Sequence, residues 1–87
     1  MTEREVTIGR PLGLHARAAA RLVQLSSGYE STIELLRNDQ GQDITADARS
    51  ILSILFMAAG FGVTVMVRAD GADEGAALDC ICEYLKG

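Results

Sequence analysis

With 87 residues, 48% of them hydrophobic and 23% charged, the chain has the size and balance of one small folded domain with little room for a deep substrate cavity. A net charge of −4, with two Tyr, two Phe and no Trp, argues against nucleic-acid binding, which needs a basic face and stacking platforms. No apolar run reaches the roughly 18 residues of a membrane span, and MTEREVTIG holds no apolar export segment, so a cytoplasmic protein without membrane insertion is expected.

Residues 4–9, REVTIG, alternate, with Val6 and Ile8 on one side and Thr7 on the other, which predicts a strand. Arg10 to Leu14 reads as a loop because Pro11 and Gly13 break that pattern. Ala16 to Ser26 is helical. Ala19, Leu22, Val23 and Ser26 share a stripe, Arg17, Arg21 and Gln24 take another face, and Gly28 marks the stop. Residues 31–37 predict a second strand with Ile33 and Leu35 on one face, and Asn38 to Gly41 a turn into a short third strand at 42–45. Asp47 to Ser50 offers caps for a helix over 51–58 that stops near Gly60 and Gly62. Residues 63–68 predict a fourth strand, and Asp70-Gly71 a turn. Asp73 and Glu74 suit the start of a last helix that buries Leu78, Ile81, Cys82 and Leu85. Cys80 and Cys82 point about 200° apart on that helix, so they neither share a metal nor pair, and packed, reduced thiols are expected.

The order β-α-β-β-α-β-α predicts an α+β fold over residues 1–87, its helices covering one face of an antiparallel sheet. Pattern alone does not separate it from a ferredoxin-like sheet, which shares the first six elements.

The only histidine, His15, stands at the mouth of the first helix in GLHARAAARLVQ. The first amides of a helix have no partner within it and carry partial positive charge, so a helix start accepts anions, phosphate among them. The amides of Ala16, Arg17 and Ala18 lie within reach of a group bonded to the ring, and the Arg17 guanidinium adds a charged donor. A neutral imidazole there is a nucleophile toward phosphorus. A lone histidine at a helix start equally serves as a plain cap or surface residue, and these residues by themselves leave both readings open. No second histidine or cysteine pair supports a metal, and no cofactor motif is present.

GLHARAAARLVQ resembles the active-site segment G-[IL]-H-A-R-P-A of HPr, the histidine-containing phosphocarrier of the bacterial phosphotransferase system. ARSILSILFMAAGFG (48–62) is similar to that family's regulatory serine and its helix, and VRADGADEGAAL (67–78) to its last strand, turn and helix start. The resemblance implies an open-faced β-sandwich with four antiparallel strands in the order 1-4-2-3, covered on one face by three helices. It implies a carrier rather than a stand-alone enzyme, likewise a monomer. His15 would take a phosphoryl group on Nδ1 from phosphorylated enzyme I and pass it to enzyme IIA components of sugar transport. Arg17 matches the phosphate-contacting arginine. Ser50 matches the serine modified by HPr kinase/phosphorylase, a modification that a transcriptional regulator can read. Ala18 departs from the usual proline, and the 38–49 connection is a few residues longer than usual.

The helix after Ser50 carries more apolar residues than one face can bury. Ile51, Ile54 and Leu55 are expected toward the sheet, and Leu52 and Phe56, four apart, on a docking face. The partner surface is placed at Arg21, Leu52, Leu55 and Phe56. Two other functions stay in view. One is a regulatory paralogue in a nitrogen-related or signalling chain without sugar transport. The other is a binding module switched at Ser50 in which His15 is idle.

Overall fold

The computed structural model describes residues 1–87. Seven elements follow in chain order: β1 (Thr2–Thr7), α1 (Ala16–Ser27), β2 (Thr32–Asp39), β3 (Gln42–Asp47), α2 (Ile51–Met57), β4 (Thr64–Asp70) and α3 (Glu74–Lys86). The four strands form one sheet in the order β1-β4-β2-β3, and all three pairings are antiparallel. A split β-α-β sheet is also antiparallel but inserts β3 between β1 and β2, whereas here β4 separates them and β3 is an edge strand, so the ferredoxin-like alternative falls and the open-faced sandwich stands. No helix is long and apolar enough to cross a membrane.

Strand alternation sorts the sheet into two faces. Val6, Ile33, Leu35, Ala46, Val65, Val67 and Ala69 are buried beneath the helices. Glu3, Glu5, Glu34, Leu36, Met66 and Arg68 lie in register on the other face, where Arg68 pairs with Glu3 at 2.7 Å and Glu34 at 3.7 Å. Onto the covered face α1 brings Ala18, Ala19 and Leu22, α2 brings Ile54 and Met57, and α3 brings Ala77, Leu78, Ile81, Cys82 and Leu85. Each fully buried Leu or Ile contributes about 1.5–3 kcal/mol, and this shared core holds the helices at fixed positions over the sheet. Burial pushes the Cys82 thiol up, and both cysteines are free, which fits inert packing thiols.

The elements differ from the sequence reading mainly at their ends. β1 runs from Thr2 to Thr7 because its ladder with β4 extends from Thr2 opposite Ala69 to Thr7 opposite Thr64, and Arg4, which breaks the apolar alternation, reaches Asp79 of α3 at 2.8 Å. β3 runs on to Asp47, and the 38–49 connection is a hairpin whose turn residues Gln40 and Gly41 both take positive φ (53° and 85°), as a tight hairpin turn requires. α2 stops earlier than expected. Ala58, not a glycine, takes the left-handed position at φ 53°.

Asp73 holds α3 to the α1–β2 loop rather than capping its own helix. Its carboxylate accepts hydrogen bonds from the amides of Glu30 (2.8 Å) and Ser31 (2.9 Å) and from the buried Ser31 hydroxyl (2.5 Å). The Ser31 hydroxyl first, then the Glu30 amide, hold the Asp73 carboxyl below the usual carboxylate range. A depressed carboxyl stabilises the fold fully above its unfolded-state value of about 4, and the contribution fades as pH falls through the folded value. Asp73→Ala is therefore expected to melt several degrees below wild type at pH 7, with the gap closing below about pH 4. Melting curves from pH 7 to 3 check this; a gap constant across that range would show that the carboxylate charge plays no part.

Candidate functional site

The loop between β1 and α1 is fastened at three points. The Ile8 amide donates to the Val63 carbonyl at 2.8 Å, the Gly9 amide to the Leu85 carbonyl at 2.9 Å, and the Leu14 amide to the Ala59 carbonyl at 2.9 Å. Two glycines permit this closeness. A Cβ on Gly9 would lie 1.8 Å from the Lys86 carbonyl oxygen, and one on Gly13, where φ is +66°, would lie 2.6 Å from the Gly60 Cα. The segment that delivers His15 is thus tied to the end of α3 and to the residues after α2.

His15 is the N-cap of α1, with extended backbone (φ −79°, ψ −177°), and its carbonyl accepts the Ala19 amide at 2.8 Å. Its Nδ1 accepts the backbone N–H of Arg17 at 3.3 Å, so a neutral ring carries its proton on Nε2 and turns the Nδ1 lone pair toward the helix start. At that length the bond is weak and readily exchanged for a better acceptor. The amides of Ala16 and Ala18 have no partner inside the protein. His15, Ala16 and Arg17 are exposed, while Ala18 is buried and anchors the first turn.

The ring opens into a depression of about 220 Å³ that it shares with Arg10, Leu12, Arg17 and Tyr84. In the sequence Arg10 is one more loop residue and Tyr84 carries no signal of its own. The two are 74 positions apart, so no local pattern joins them. Residues 6–29 and 48–63 contain no Asp or Glu, so the loop, α1 and α2 present Arg10, Arg17, Arg21 and Arg49 without a neutralising carboxylate. The depression itself is lined by two arginines and no carboxylate, which favours an anion there.

Ser50 lies at the N-cap of α2, where its Oγ accepts the Ser53 amide at 3.3 Å. Its neighbour Arg49 donates to the carbonyls of Ser26 (3.3 Å), Tyr29 and Ser31 (3.1 Å), so a cation closes the carbonyl end of α1 and ties it to the Ser50 turn. Leu52 (65% exposed) and Phe56 (82%) face outward as expected. Ile51 and Leu55 do not lie against the sheet: they remain 39% and 37% exposed, and Met57 takes the buried place beside Ile54. In a helix of two turns Ile54 and Met57, three apart, already fill the inward face, which leaves Ile51 and Leu55 on its flanks. Arg21, exposed on α1, donates to Gln24 at 3.3 Å.

An exposed imidazole at a helix N-cap, with its lone pair on a backbone amide and Arg10 and Arg17 on the same depression, has the chemistry to take up a phosphoryl group at the surface and no cavity to enclose a substrate. Comparisons with known proteins identify the family. A family model described as "PTS HPr component phosphorylation site" matches residues 2–87. Phosphocarrier protein HPr of Cupriavidus necator is 43% identical over 81 residues, covering 93% of this chain and 86% of that protein. Phosphocarrier protein NPr of Shewanella violacea is 41% identical over 80 residues, covering 92% and 84%. The crystal structure of a phosphocarrier protein HPr from Bacillus anthracis superposes with a TM-score of 0.86 at 28% identity, covering 97% of this chain and 95% of that one. The chain belongs to the HPr family, the phosphocarriers of the phosphotransferase system.

Proposed function

We propose that residues 1–87 act as one phosphocarrier domain in which His15 is the phosphoryl acceptor. The observation that carries this is the Nδ1 lone pair of the N-cap histidine held on the Arg17 amide, beside the Arg17 side chain. Attack by Nδ1 forms the N–P bond as the donor's bond to phosphorus breaks, and the proton stays on Nε2, so none has to leave for the bond to form. The phosphoryl oxygens then replace the ring nitrogen as acceptors for the amides at the helix start, including those of Ala16, Arg17 and Ala18. Ala18 in place of proline keeps a donor at that start. The donor is phosphorylated enzyme I and the recipient an enzyme IIA component of sugar transport, with the carrier cytoplasmic and monomeric. Arg21, Leu52, Leu55 and Phe56 form the surface that docks both. Incubation with enzyme I, phosphoenolpyruvate and a sugar-specific or nitrogen-related enzyme IIA tests this, with faster transfer to the sugar-specific component expected. The relative named NPr favours a second reading, a regulatory carrier in a nitrogen-related chain, and preferential transfer to the nitrogen-related component would select it.

Ser50 is the regulatory site in this reading, modified by HPr kinase/phosphorylase and read by a transcriptional regulator. A phosphate at the N-cap suits the helix start, so the fold tolerates it, but it places about −1.5 to −2 charges beside exposed Leu52 and Phe56. Ser50→Asp is expected to melt within a degree or two of wild type and to be phosphorylated by enzyme I roughly tenfold more slowly, the effect of about 1.4 kcal/mol of lost docking energy. Rates alike in wild type, Ser50→Ala and Ser50→Asp would leave Ser50 a cap and nothing more.

A further inference from the structure

The Arg10 guanidinium is fixed in a way that the Arg17 side chain is not. Its Nε donates to the Tyr84 carbonyl at 2.8 Å, and its Cζ lies 3.5 Å from the centroid of the Tyr84 ring. Stacking and one hydrogen bond hold the plane, while neither Nη has a protein partner. Arg10 and Tyr84 border the same depression as His15 and Arg17, and the Tyr84 hydroxyl also donates to the Ala18 carbonyl at 3.4 Å in the first turn of α1. The last turn of α3 thus serves as a shelf that presents two free charged donors beside the histidine.

We infer that Arg10 is a second phosphate-binding cation of this site, so that a phosphoryl group on His15 is held between Arg17 on α1 and Arg10 on its Tyr84 shelf. This rests on His15 being the acceptor, but the anion site it describes is testable without any transfer. A guanidinium already stacked loses little freedom when it takes up a dianion, and its two Nη groups match two phosphoryl oxygens. Arg10 therefore favours the phosphorylated state of the carrier, and the Arg10–Tyr84 contact makes the end of α3 part of the site.

The test uses the full chain with inorganic phosphate as probe, followed by the amide resonances of Gly13 to Ala18. Arg10→Ala is expected to weaken phosphate binding on the order of tenfold, the size of one charge-assisted hydrogen bond. It is expected to lower by a similar factor the ratio of phosphorylated to free carrier at equilibrium with phosphorylated enzyme I. Arg10→Lys, which keeps the charge but not the fork, should fall between the two. Amide resonances remote from the loop report whether each variant is folded. Arg68→Ala removes the same charge from the far face of the sheet and should leave both quantities within twofold of wild type. Phosphate affinity and transfer equilibrium unchanged in Arg10→Ala would overturn the inference, as would an equal loss in Arg68→Ala, which would reduce it to net charge. Phosphate binding that depends on Arg10 in a protein whose His15 takes no label would support the cation pair while removing the acceptor reading.

Discussion

His15→Ala is expected to take up no label from phosphoenolpyruvate and enzyme I while remaining folded. His15 is exposed at a loop-to-helix junction, and its one side-chain hydrogen bond is the long one from the Arg17 amide. Losing an N-cap side chain costs about 0.5–2 kcal/mol, and a bond of this length places the loss at the low end. The core beneath α1 rests on Ala18, Ala19 and Leu22, none of which the substitution touches. Folding and labelling therefore separate cleanly in this variant. It is the only histidine in the chain, so no neighbouring imidazole can stand in for it. Full labelling in the variant, with the melting temperature preserved, would remove the acceptor from His15.

Arg17→Ala is expected to lower the transfer rate ten- to a hundredfold without unfolding the domain. The substitution separates two contributions that meet at this residue. The Arg17 amide stays in place and continues to face the acceptor, while the guanidinium, which is exposed and has no protein partner, is lost. A hydrogen bond to a charged group contributes about 1.5–3 kcal/mol, and each 1.4 kcal/mol is tenfold in rate. Single-turnover phosphorylation by enzyme I measures the drop, and Arg17→Lys should recover part of it through charge alone. An unchanged rate in Arg17→Ala would assign the whole of the phosphate stabilisation to the backbone amides and Arg10.

What the sequence makes legible here is what local patterning controls. His15 reads as a helix cap because a loop with Pro11 and Gly13 precedes it and strong helix formers follow. The buried stripe of α3 reads correctly because thirteen residues leave room for a full helical period to repeat. α2 does not, because seven residues that are mostly apolar offer no unique inward face, and only packing selects Ile54 and Met57 over Ile51 and Leu55. The sheet order is likewise beyond periodicity. The strand pattern fits more than one pairing, and the order 1-4-2-3 came into view through resemblance rather than spacing.

The contacts that complete the site are nonlocal. Arg10 meets Tyr84 because Gly9 lets the loop lie against the end of α3, and Arg49 meets the carbonyls at the end of α1 because the β2–β3 hairpin returns it there. Asp73 looks like a residue placed for the helix dipole, yet its oxygens are taken by Glu30 and Ser31. Arg10, Arg49 and Asp73 reach partners 18 to 74 positions away, which no window of sequence displays. The chemistry of the charged residues nonetheless converges on one side of the molecule, where the loop, α1 and α2 carry arginines and no carboxylate.

The most direct test of the central claim is the chemical identity of the adduct. The full chain, enriched with nitrogen-15 in its imidazole, is incubated with enzyme I and phosphoenolpyruvate and followed by phosphorus and nitrogen NMR. The expected result is a single phosphoramidate, acid-labile and base-stable, with its N–P coupling at Nδ1 of His15 and shifts at the amides of Ala16, Arg17 and Ala18. An adduct at Nε2, or an acid-stable phosphate ester on Ser50 with the ring unmodified, would contradict the account.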